Sequence, residues 1–345
     1  MEQVKKLGNG TKFSLRGLSP EKKASAEGGA HKKKITPAKV GRFLFSIVRG
    51  VIVFGICYVI LYPIFVKLTI SFMDEKDLYD ATVKYVPKTF TLENYRRVIE
   101  GLEYGKSFLI TALMSGGVAL LQLLMCMLTA YGFARFRFPG KGILFGCVIF
   151  TLIVPPQILM LPMYMNFRFF DIAGIVEAVR GQSINLLNSG APIIIQALTC
   201  TGFKNGLYIY MLRQFFKGIP KELEEAAFVD GCGKLRTFVQ IMMPVAVPMM
   251  VTVFLFGFVW QWTDSFYTGL YMPKMALLSN KLSALAATLS AKYQDMGGSM
   301  NFVTPGFASL MNNTGVLLVI LPLVVLYLAC QKHFVEGIAR SGIVG

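Results

Sequence analysis

Apolar residues gather into six blocks along this chain, and polar stretches separate them. Each block is near the roughly 20 residues that an α-helix needs to cross the hydrocarbon core of a bilayer. The pattern predicts six transmembrane helices, at about 46–72, 107–131, 142–166, 190–211, 241–266 and 313–331. The third is interrupted by Pro155, Pro156 and Pro162, which remove backbone donors and are tolerated only beside neighbouring helices or a water-filled path. We therefore expect an all-α, polytopic membrane protein.

The composition is that of a membrane protein. Of the 345 residues, 54% are hydrophobic and only 16% are charged, whereas a typical soluble domain carries about 25% charged residues. The six cysteines include no C-x-x-C pair, so neither a disulfide framework nor a zinc site is indicated. These features exclude a cytosolic enzyme and a secreted disulfide-rich protein.

Cationic residues set the predicted direction of the helices. The net charge is +16, and the basic N-terminal tail, 1–42, holds eleven Lys and Arg. A cationic segment beside a membrane span favours the cytoplasmic side, which places both termini in the cytoplasm. The membrane domain is then 43–345, with a cytoplasmic loop at 212–243 and a C-terminal tail at 332–345. A nucleic-acid partner is not indicated, because Phe13 is the one aromatic residue of the basic tail.

Motifs for nucleotide hydrolysis and for metal or cofactor binding are missing from the sequence. The nearest match to a phosphate-binding loop is 231–234, but a Walker A loop requires Gly and Ser or Thr where this chain has Phe228 and Leu235. The two histidines, His31 and His333, are not placed to ligate a metal together. We therefore expect a protein that is not an enzyme, has no cofactor of its own and does not hydrolyse ATP by itself.

Two ionisable residues, Lys204 and Asp264, lie within predicted membrane segments. A charged side chain at the centre of a membrane helix costs about 2.5–3.5 kcal/mol on insertion scales, so each invites a functional interpretation. For Asp264, near the outer end of the fifth helix, we favour a structural role. Lys204 is predicted either to line a polar path or to pair with a partner helix. An ion-coupled carrier would show more embedded carboxylates than this.

The cytoplasmic loop 212–243 has the pattern of a short helix–turn–helix. Pro220 suits the first turn of a helix, since its missing N–H would be unpaired there anyway. Acidic residues follow in the first turns, where the helix dipole favours anions. Ala226 and Ala227 would let another backbone approach closely, and Gly231 would end the helix in a turn. A simple amphipathic connector is the alternative interpretation.

This loop resembles the EAA loop of binding-protein-dependent ABC importer permeases. The matching residues are Glu225-Ala226-Ala227, Gly231, Ile241 and Met243-Pro244, although the family usually has Leu at the position of Met243. Four further stretches resemble the maltose and multiple-sugar branch, namely 90–95, 130–140, 262–264 and 333–345. The long basic N-terminus, Thr263 in place of Asn, and a longer stretch at 172–198 depart from that pattern.

The resemblance implies the fold of a type I ABC importer permease in a bacterial inner membrane. It implies a permease subunit of an ATP-driven importer for carbohydrate, and more narrowly for an oligosaccharide. The implied partners are a second homologous permease, two ATP-binding cassette subunits, an extracytoplasmic sugar-binding protein and membrane lipid, with ATP and magnesium on the ATPase subunits. The alternatives are an ABC permease for a non-sugar solute, an ion-coupled secondary transporter, and a membrane scaffold or receptor.

The resemblance also assigns roles to single residues. Glu225 would pair with a basic residue of the ATPase, while small residues would allow close approach and apolar side chains would fill pockets. The expected coupling residues are Leu223, Glu225, Ala226, Ala227, Phe228, Asp230 and Gly231. The expected C-terminal contacts with the ATPases are Phe334, Glu336 and Gly337. Because amides and aromatic faces suit sugars, the candidates for the translocation path are Gln157, Lys204, Gln261 and Trp262.

Overall fold

The computed structural model describes residues 37–202, 204–295 and 304–342, with side chains for 44–202, 204–292 and 304–332. These residues form helices and turns, with two isolated backbone bridges and no strand among them. The expected all-α class is therefore confirmed. By their contacts, the described residues divide into two units, with the boundary between Ile60 and Leu61.

Fifteen α-helices are described, in the following order. The first seven are α1 (Pro37–Ser71), α2 (Glu75–Tyr79), α3 (Glu93–Gly101), α4 (Tyr104–Arg135), α5 (Lys141–Ile153), α6 (Pro156–Arg168) and α7 (Ile175–Arg180). The next four are α8 (Ala191–Leu198), α9 (Asn205–Gly218), α10 (Glu222–Val229) and α11 (Lys234–Thr237). A π-helical stretch, Phe238–Met242, then leads into α12 (Met243–Thr263), α13 (Phe266–Tyr271), α14 (Leu278–Asp295) and α15 (Pro305–Gly342).

Four described helical segments are long and apolar enough to cross a membrane. They are Leu44–Ser71, Tyr104–Arg135, Lys234–Thr263 and Pro305–Lys332. Helices α5 and α6 make a fifth if they count as one span, although they meet at 103°. The predicted count of six is therefore not reproduced by length and apolarity, because the predicted fourth span, 190–211, is divided between α8 and α9.

Both broken spans have a local cause. Helix α5 ends before the proline pair 155–156, which cannot donate the backbone hydrogen bonds that would continue it. After α8, Cys200 adopts a left-handed φ of 56°. The carbonyl oxygen of Gln196 then accepts hydrogen bonds from the N–H groups of Thr201 at 3.1 Å and Gly202 at 3.2 Å. These bonds satisfy the unwound backbone within an apolar region.

Helix α4 is the central element of the second unit and packs against α8, α9 and α12. Small residues allow the close crossing with α12, because a Cβ on Gly257 would lie 3.3 Å from the Cβ of Ala119. A large buried cluster joins α4, α9 and α12 and includes Tyr131, Phe216 and Phe238. A second cluster joins α3, α12, α14 and α15.

Helix α3 is tied to the end of α1 by the stretch 90–95. The buried Asn94 donates from Nδ2 to the carbonyl oxygens of Ser71 at 3.1 Å and Met73 at 2.8 Å. Nearby, a hydrogen bond from Lys281 of α14 lowers the pKa of Glu103, just before α4. That pair is exposed and contributes little to stability, whereas the buried amide fixes the position of α3.

Part of each predicted tail lies outside the described residues. Of the basic tail, 1–42, only residues from 37 onward are described, as the start of α1. The predicted C-terminal tail, 332–345, continues α15 as far as Gly342. The side chains at Phe334, Glu336 and Gly337 are not among those described, so their expected contact with the ATPases stays a prediction.

Candidate functional site

The segment 212–243 contains the end of α9, the short helices α10 and α11, and the π-helical stretch that leads into α12. Between α10 and α11 lies a tight turn, in which Gly231 has a φ of 81° that side chains with a Cβ rarely adopt. The N–H of Gly231 donates to the carbonyl of Phe228 at 3.1 Å, and the N–H of Cys232 donates to that of Ala227 at 2.9 Å. These two bonds close the end of α10.

Helix α10 is held against the end of α4 by the carboxylate of Glu224. Its Oε2 lies 3.1 Å from Nε of Arg135, and the two side chains are only 9% and 7% exposed. Its Oε1 accepts a hydrogen bond from the hydroxyl of Tyr131 at 2.8 Å. Nη2 of Arg135 also donates to the carbonyl of Ile219 at 2.6 Å, just before α10. Two residues of α4 thus fix both the helix and the chain that enters it.

The ring of Tyr131 extends this contact into the apolar core. Its centroid lies 5.6 Å from that of Phe216 on α9 and 4.7 Å from that of Phe238 in the π-helical stretch. Aromatic pairs at such distances stabilise packing beyond the area that they bury. The same residue therefore joins α4, α9, α10 and the entry to α12.

The outward face of α10 carries most of the expected coupling residues. Leu223 is 43% exposed and Phe228 is 45% exposed, and Glu225, Ala226, Asp230 and Gly231 are exposed as well. Ala227 differs, because it is buried within the chain. Its small side chain therefore allows α10 to pack on its own protein.

A cavity of about 400 Å³ lies where the two broken spans meet α4 and α12. Pro156 and Gln157, at the start of α6, line it on one side. Gly202 and Lys204, in the unwound stretch between α8 and α9, line it on another. Irregular backbone at membrane depth is tolerated where it borders a polar cavity, which is the arrangement here.

Two charged side chains of the cavity have partners within the chain. The ammonium group of Lys204 lies 4.0 Å from the centroid of the Trp260 ring, a cation–π contact. The carboxylate of Asp264 accepts hydrogen bonds from the backbone N–H groups of Tyr267 at 3.2 Å and Thr268 at 2.8 Å. Asp264 therefore caps α13, which is the structural role expected from its position.

Four carboxamides also line the cavity, from four different elements: Gln122 of α4, Gln157 of α6, Gln196 of α8 and Gln261 of α12. Within the part of the chain that the structure describes, Gln122, Gln157 and Gln261 form no side-chain hydrogen bond with another residue. Two glycines make room for Gln122, because a Cβ on Gly257 would lie 3.3 Å from its Oε1 and one on Gly202 would lie 3.4 Å from its Nε2.

Three of the four residues expected on a translocation path, Gln157, Lys204 and Gln261, meet at this cavity. Trp262 does not line it. Its side chain is 1% exposed, and its Nε1 donates to the carbonyl of Val319 in α15 at 3.0 Å. Residues two apart on a helix point to nearly opposite sides, so Trp260 lines the cavity while Trp262 packs in the core.

Sequence reasoning missed Gln122, Gln196 and Trp260 as cavity residues. The available signal for Gln122 was a single amide within an otherwise apolar block. Gln196 occupies the same kind of position in the fourth block. A lone amide in a membrane span indicates a polar site as a charged residue does, because its polar atoms also need partners in hydrocarbon.

Residues 122–339 match the model of the family described as "Binding-protein-dependent transport system inner membrane component". The chain belongs to this family. The matched range runs from Gln122 of the cavity through the whole coupling segment into the end of α15. Members are permease subunits of ABC transporters and not themselves enzymes, so this permease is a multi-pass membrane subunit that works with a binding protein and an ATPase.

The permease is similar to several transport proteins. It is 26% identical to the alpha-glucoside transport system permease protein AglG of Rhizobium meliloti over 75% of this chain, and 27% identical to the melibiose/raffinose/stachyose import permease protein MelC of Bacillus subtilis over 82%. It is 25% identical to the sn-glycerol-3-phosphate transport system permease protein UgpE of Escherichia coli, again over 82%. These alignments cover 62%, 91% and 92% of the three relatives, so the first spans less than two thirds of AglG.

A solved structure has the same fold. It is a bacterial ABC transporter involved in the import of the acidic polysaccharide alginate, and one of its chains superposes with a TM-score of 0.60 over 85% of this chain and 98% of that chain. The sequence identity is 20%, so the likeness concerns the fold. It confirms the expected architecture of an ABC importer permease.

The described side chains form no recognisable metal-binding site. They include no group of three or more His, Cys, Asp or Glu residues that could hold a metal ion. The family, in turn, has no cofactor of its own.

Proposed function

We propose that this permease forms half of the membrane domain of an ATP-driven importer for carbohydrate, and more narrowly for an oligosaccharide. The proposal is supported by the family and by the relatives AglG and MelC, whose names refer to an alpha-glucoside and to melibiose, raffinose and stachyose. A sugar-binding protein would deliver the cargo at the outer face. A second homologous permease would complete the membrane domain.

The observation that carries the proposal is the anchored position of α10. Glu224 faces inward and binds Arg135 and Tyr131, so the exposed surface of the helix is held in a fixed position. That surface includes the apolar side chains of Leu223 and Phe228 and the carboxylate of Glu225. A short helix with an apolar and acidic outer face suits docking into a groove of an ATPase subunit, where Glu225 would meet a basic residue.

Transport would follow from movement of this docked helix. Closure of two ATPase subunits around ATP and magnesium would bring two such helices together, one from each permease. The membrane helices would then rock from an inward-facing to an outward-facing arrangement, a rigid-body type of switch. This mechanism requires 212–243 to be cytoplasmic, and with it both termini, as the cationic tail predicts. The C-terminal residues Phe334, Glu336 and Gly337 would add a second contact with the ATPases.

A second candidate cargo is an organic phosphate. The relative UgpE is named for sn-glycerol-3-phosphate and is nearly as similar to this chain as the sugar permeases are. The coupling segment does not discriminate between these cargoes, since it faces the ATPase. An ion-coupled secondary transporter is excluded, because the family is that of binding-protein-dependent transport.

The substitution Glu225→Lys tests the proposed docking. It reverses a charge on the exposed face and leaves the buried carboxylate of Glu224 in place. We expect uptake of labelled sugar to fall to background, and the binding protein to stop stimulating ATP hydrolysis. The amount of permease in the membrane should not change. Glu222→Lys is the matched control, because Glu222 is exposed on the same helix but is not an expected coupling residue.

The outcome separates docking from a general effect of charge. Loss of uptake with Glu225→Lys, but not with Glu222→Lys, supports a specific contact with the ATPase. Normal uptake by the Glu225→Lys importer refutes the assignment of Glu225.

A further inference from the structure

The polar cavity is assembled from parts of the chain that are far apart in sequence. Gln122 comes from an unbroken helix, whereas Gln157 and Gly202 come from the two breaks in the predicted spans. Neither break is needed to connect helices, because each interrupts an apolar block that was long enough to cross on its own. The breaks therefore serve to bring polar groups to one place inside the membrane domain.

Three of the four amide side chains of this cavity are free to bind a cargo. In the described structure, Gln122, Gln157 and Gln261 form no side-chain hydrogen bonds with other residues. Each carboxamide has two N–H donors and an oxygen that accepts two bonds. These donors and acceptors border the cavity, so they are available for hydrogen bonds with an occupant of it.

The charged groups, in contrast, are held by the protein. Lys204 contacts the ring of Trp260, and Asp264 caps the first turn of α13. The positive charge of Lys204 and the negative charge of Asp264 also offset each other, so the cavity has no excess of either sign. Recognition by free neutral amides favours hydroxyl groups over phosphate or carboxylate.

The size and lining of the cavity fit a small polyhydroxylated group. Its volume of about 400 Å³ lies within the roughly 300–1,000 Å³ of typical small-molecule sites. The half-exposed indole of Trp260, which Lys204 contacts on one face, supplies apolar surface beside the amides. We infer that this cavity binds an uncharged saccharide directly, through hydrogen bonds from Gln122, Gln157 and Gln261 to its hydroxyl groups. The inference rests on the proposed function as a carbohydrate importer, and it assigns part of the cargo site to this subunit.

The test uses the complete importer, purified with its partner subunits and reconstituted in liposomes with its binding protein outside. Two sets of labelled probes are offered: neutral α-glucosides, melibiose, raffinose and arabino-oligosaccharides, and anionic glycerol 3-phosphate and oligouronate. Three variants, Gln122→Leu, Gln157→Leu and Gln261→Leu, keep the size of the side chain and remove its hydrogen bonds. Gln214→Leu is the matched control, because Gln214 lies on α9, bonds to Tyr210 and does not line the cavity.

We expect at least one neutral probe to be transported and the anionic probes to be excluded. Each cavity variant should transport about threefold to tenfold less sugar per ATP hydrolysed, the change that corresponds to losing one hydrogen bond. Complex yield and stimulation of ATP hydrolysis by the binding protein should stay at the wild-type level in all four variants. The Gln214→Leu importer should also transport sugar at the wild-type rate.

The possible failures have different meanings. Sugar transport at the wild-type level in all three cavity variants overturns the binding site and leaves the importer function intact. Loss of complex assembly in those variants also overturns it, because the cavity would then be a subunit interface. Transport of anionic probes alone, or of none, refutes the proposed carbohydrate function itself.

Discussion

Replacing Glu224 by Gln removes a single charge from the contact between α10 and α4. The side chains of Glu224 and Arg135 are 9% and 7% exposed, so the remaining arginine charge would be buried without its partner. Removal of one member of such a buried pair costs about 3–5 kcal/mol. At about 1.4 kcal/mol for each factor of ten, the equilibrium between anchored and released α10 shifts by about two to three and a half orders of magnitude.

The assay is sugar transported per ATP hydrolysed by the complete importer in liposomes. We expect Glu224→Gln to lower this ratio strongly, because a loosened α10 can stay docked on the ATPase without moving α4. Glu222→Gln makes the same chemical change on the exposed side of the helix and should leave the ratio unchanged.

A double-mutant cycle identifies the mechanism. Arg135→Met removes the buried charge that Glu224→Gln leaves unpaired, so the double variant should transport better than the sum of the two single effects predicts. Equal ratios for Glu224→Gln and Glu222→Gln, or strict additivity in the cycle, would show that the buried pair does not transmit movement of α10.

Two further predictions concern packing within the membrane domain. Gly206→Val should destabilise the permease by about 1–3 kcal/mol through overpacking, since a Cβ there would lie 2.5 Å from Oγ1 of Thr151. A lower melting temperature measures this effect, and Gly117→Val is the control because a Cβ at Gly117 meets no atom within 4 Å. Trp262→Phe should lower the melting temperature by removing a buried hydrogen bond to α15. Trp260→Phe should not, as that side chain is half exposed, and equal shifts for both would contradict the assignment.

The apolar blocks predicted the long helices well because hydrophobic length is a local property. The break between α5 and α6 was also visible, as a pair of prolines. The break after α8 was indicated only weakly, because the polar residues of 199–205 dilute the fourth block but include no proline. Its geometry depends on the left-handed backbone of Cys200 and the carbonyl of Gln196. Such bonds form only after the chain has left the helix, so the sequence still predicted one continuous span.

The sequence predicted the short helices and the turn of the segment 212–243, but not the side-chain contacts that hold them. The sequence shows three glutamates near the start of α10 and singles out Glu225 by its motif, but it does not indicate which of the three is buried. The structure separates Glu224, which is buried, from Glu225, which is exposed. The difference arises from Tyr131, which lies 93 residues earlier in the chain. No local pattern could relate these positions, because they meet only once α4 and α9 have packed.

This contact also brings together two separate stretches of the chain that resemble one family. The stretch 130–140 supplies Tyr131 and Arg135, and the motif Glu225-Ala226-Ala227 follows directly after their partner Glu224. The two stretches therefore form the two sides of one buried contact, which we call the α4–α10 joint (Tyr131, Arg135 and Glu224).

Helix α4 connects this joint to the cavity. Tyr131 and Arg135 lie at one end of a helix that is continuous from Tyr104 to Arg135, and Gln122 lies on the same helix. The 13 residues between Gln122 and Arg135 correspond to about 20 Å at a rise of 1.5 Å per residue. A helix without a break over that length moves as a unit, in contrast to the spans that are divided at the cavity. Displacement of α10 by an ATPase would therefore move one wall of the cavity relative to the walls formed by α6 and the unwound stretch before α9. We therefore expect the unbroken span to carry Gln122 with it, past Gln157 and Lys204 of the two broken spans.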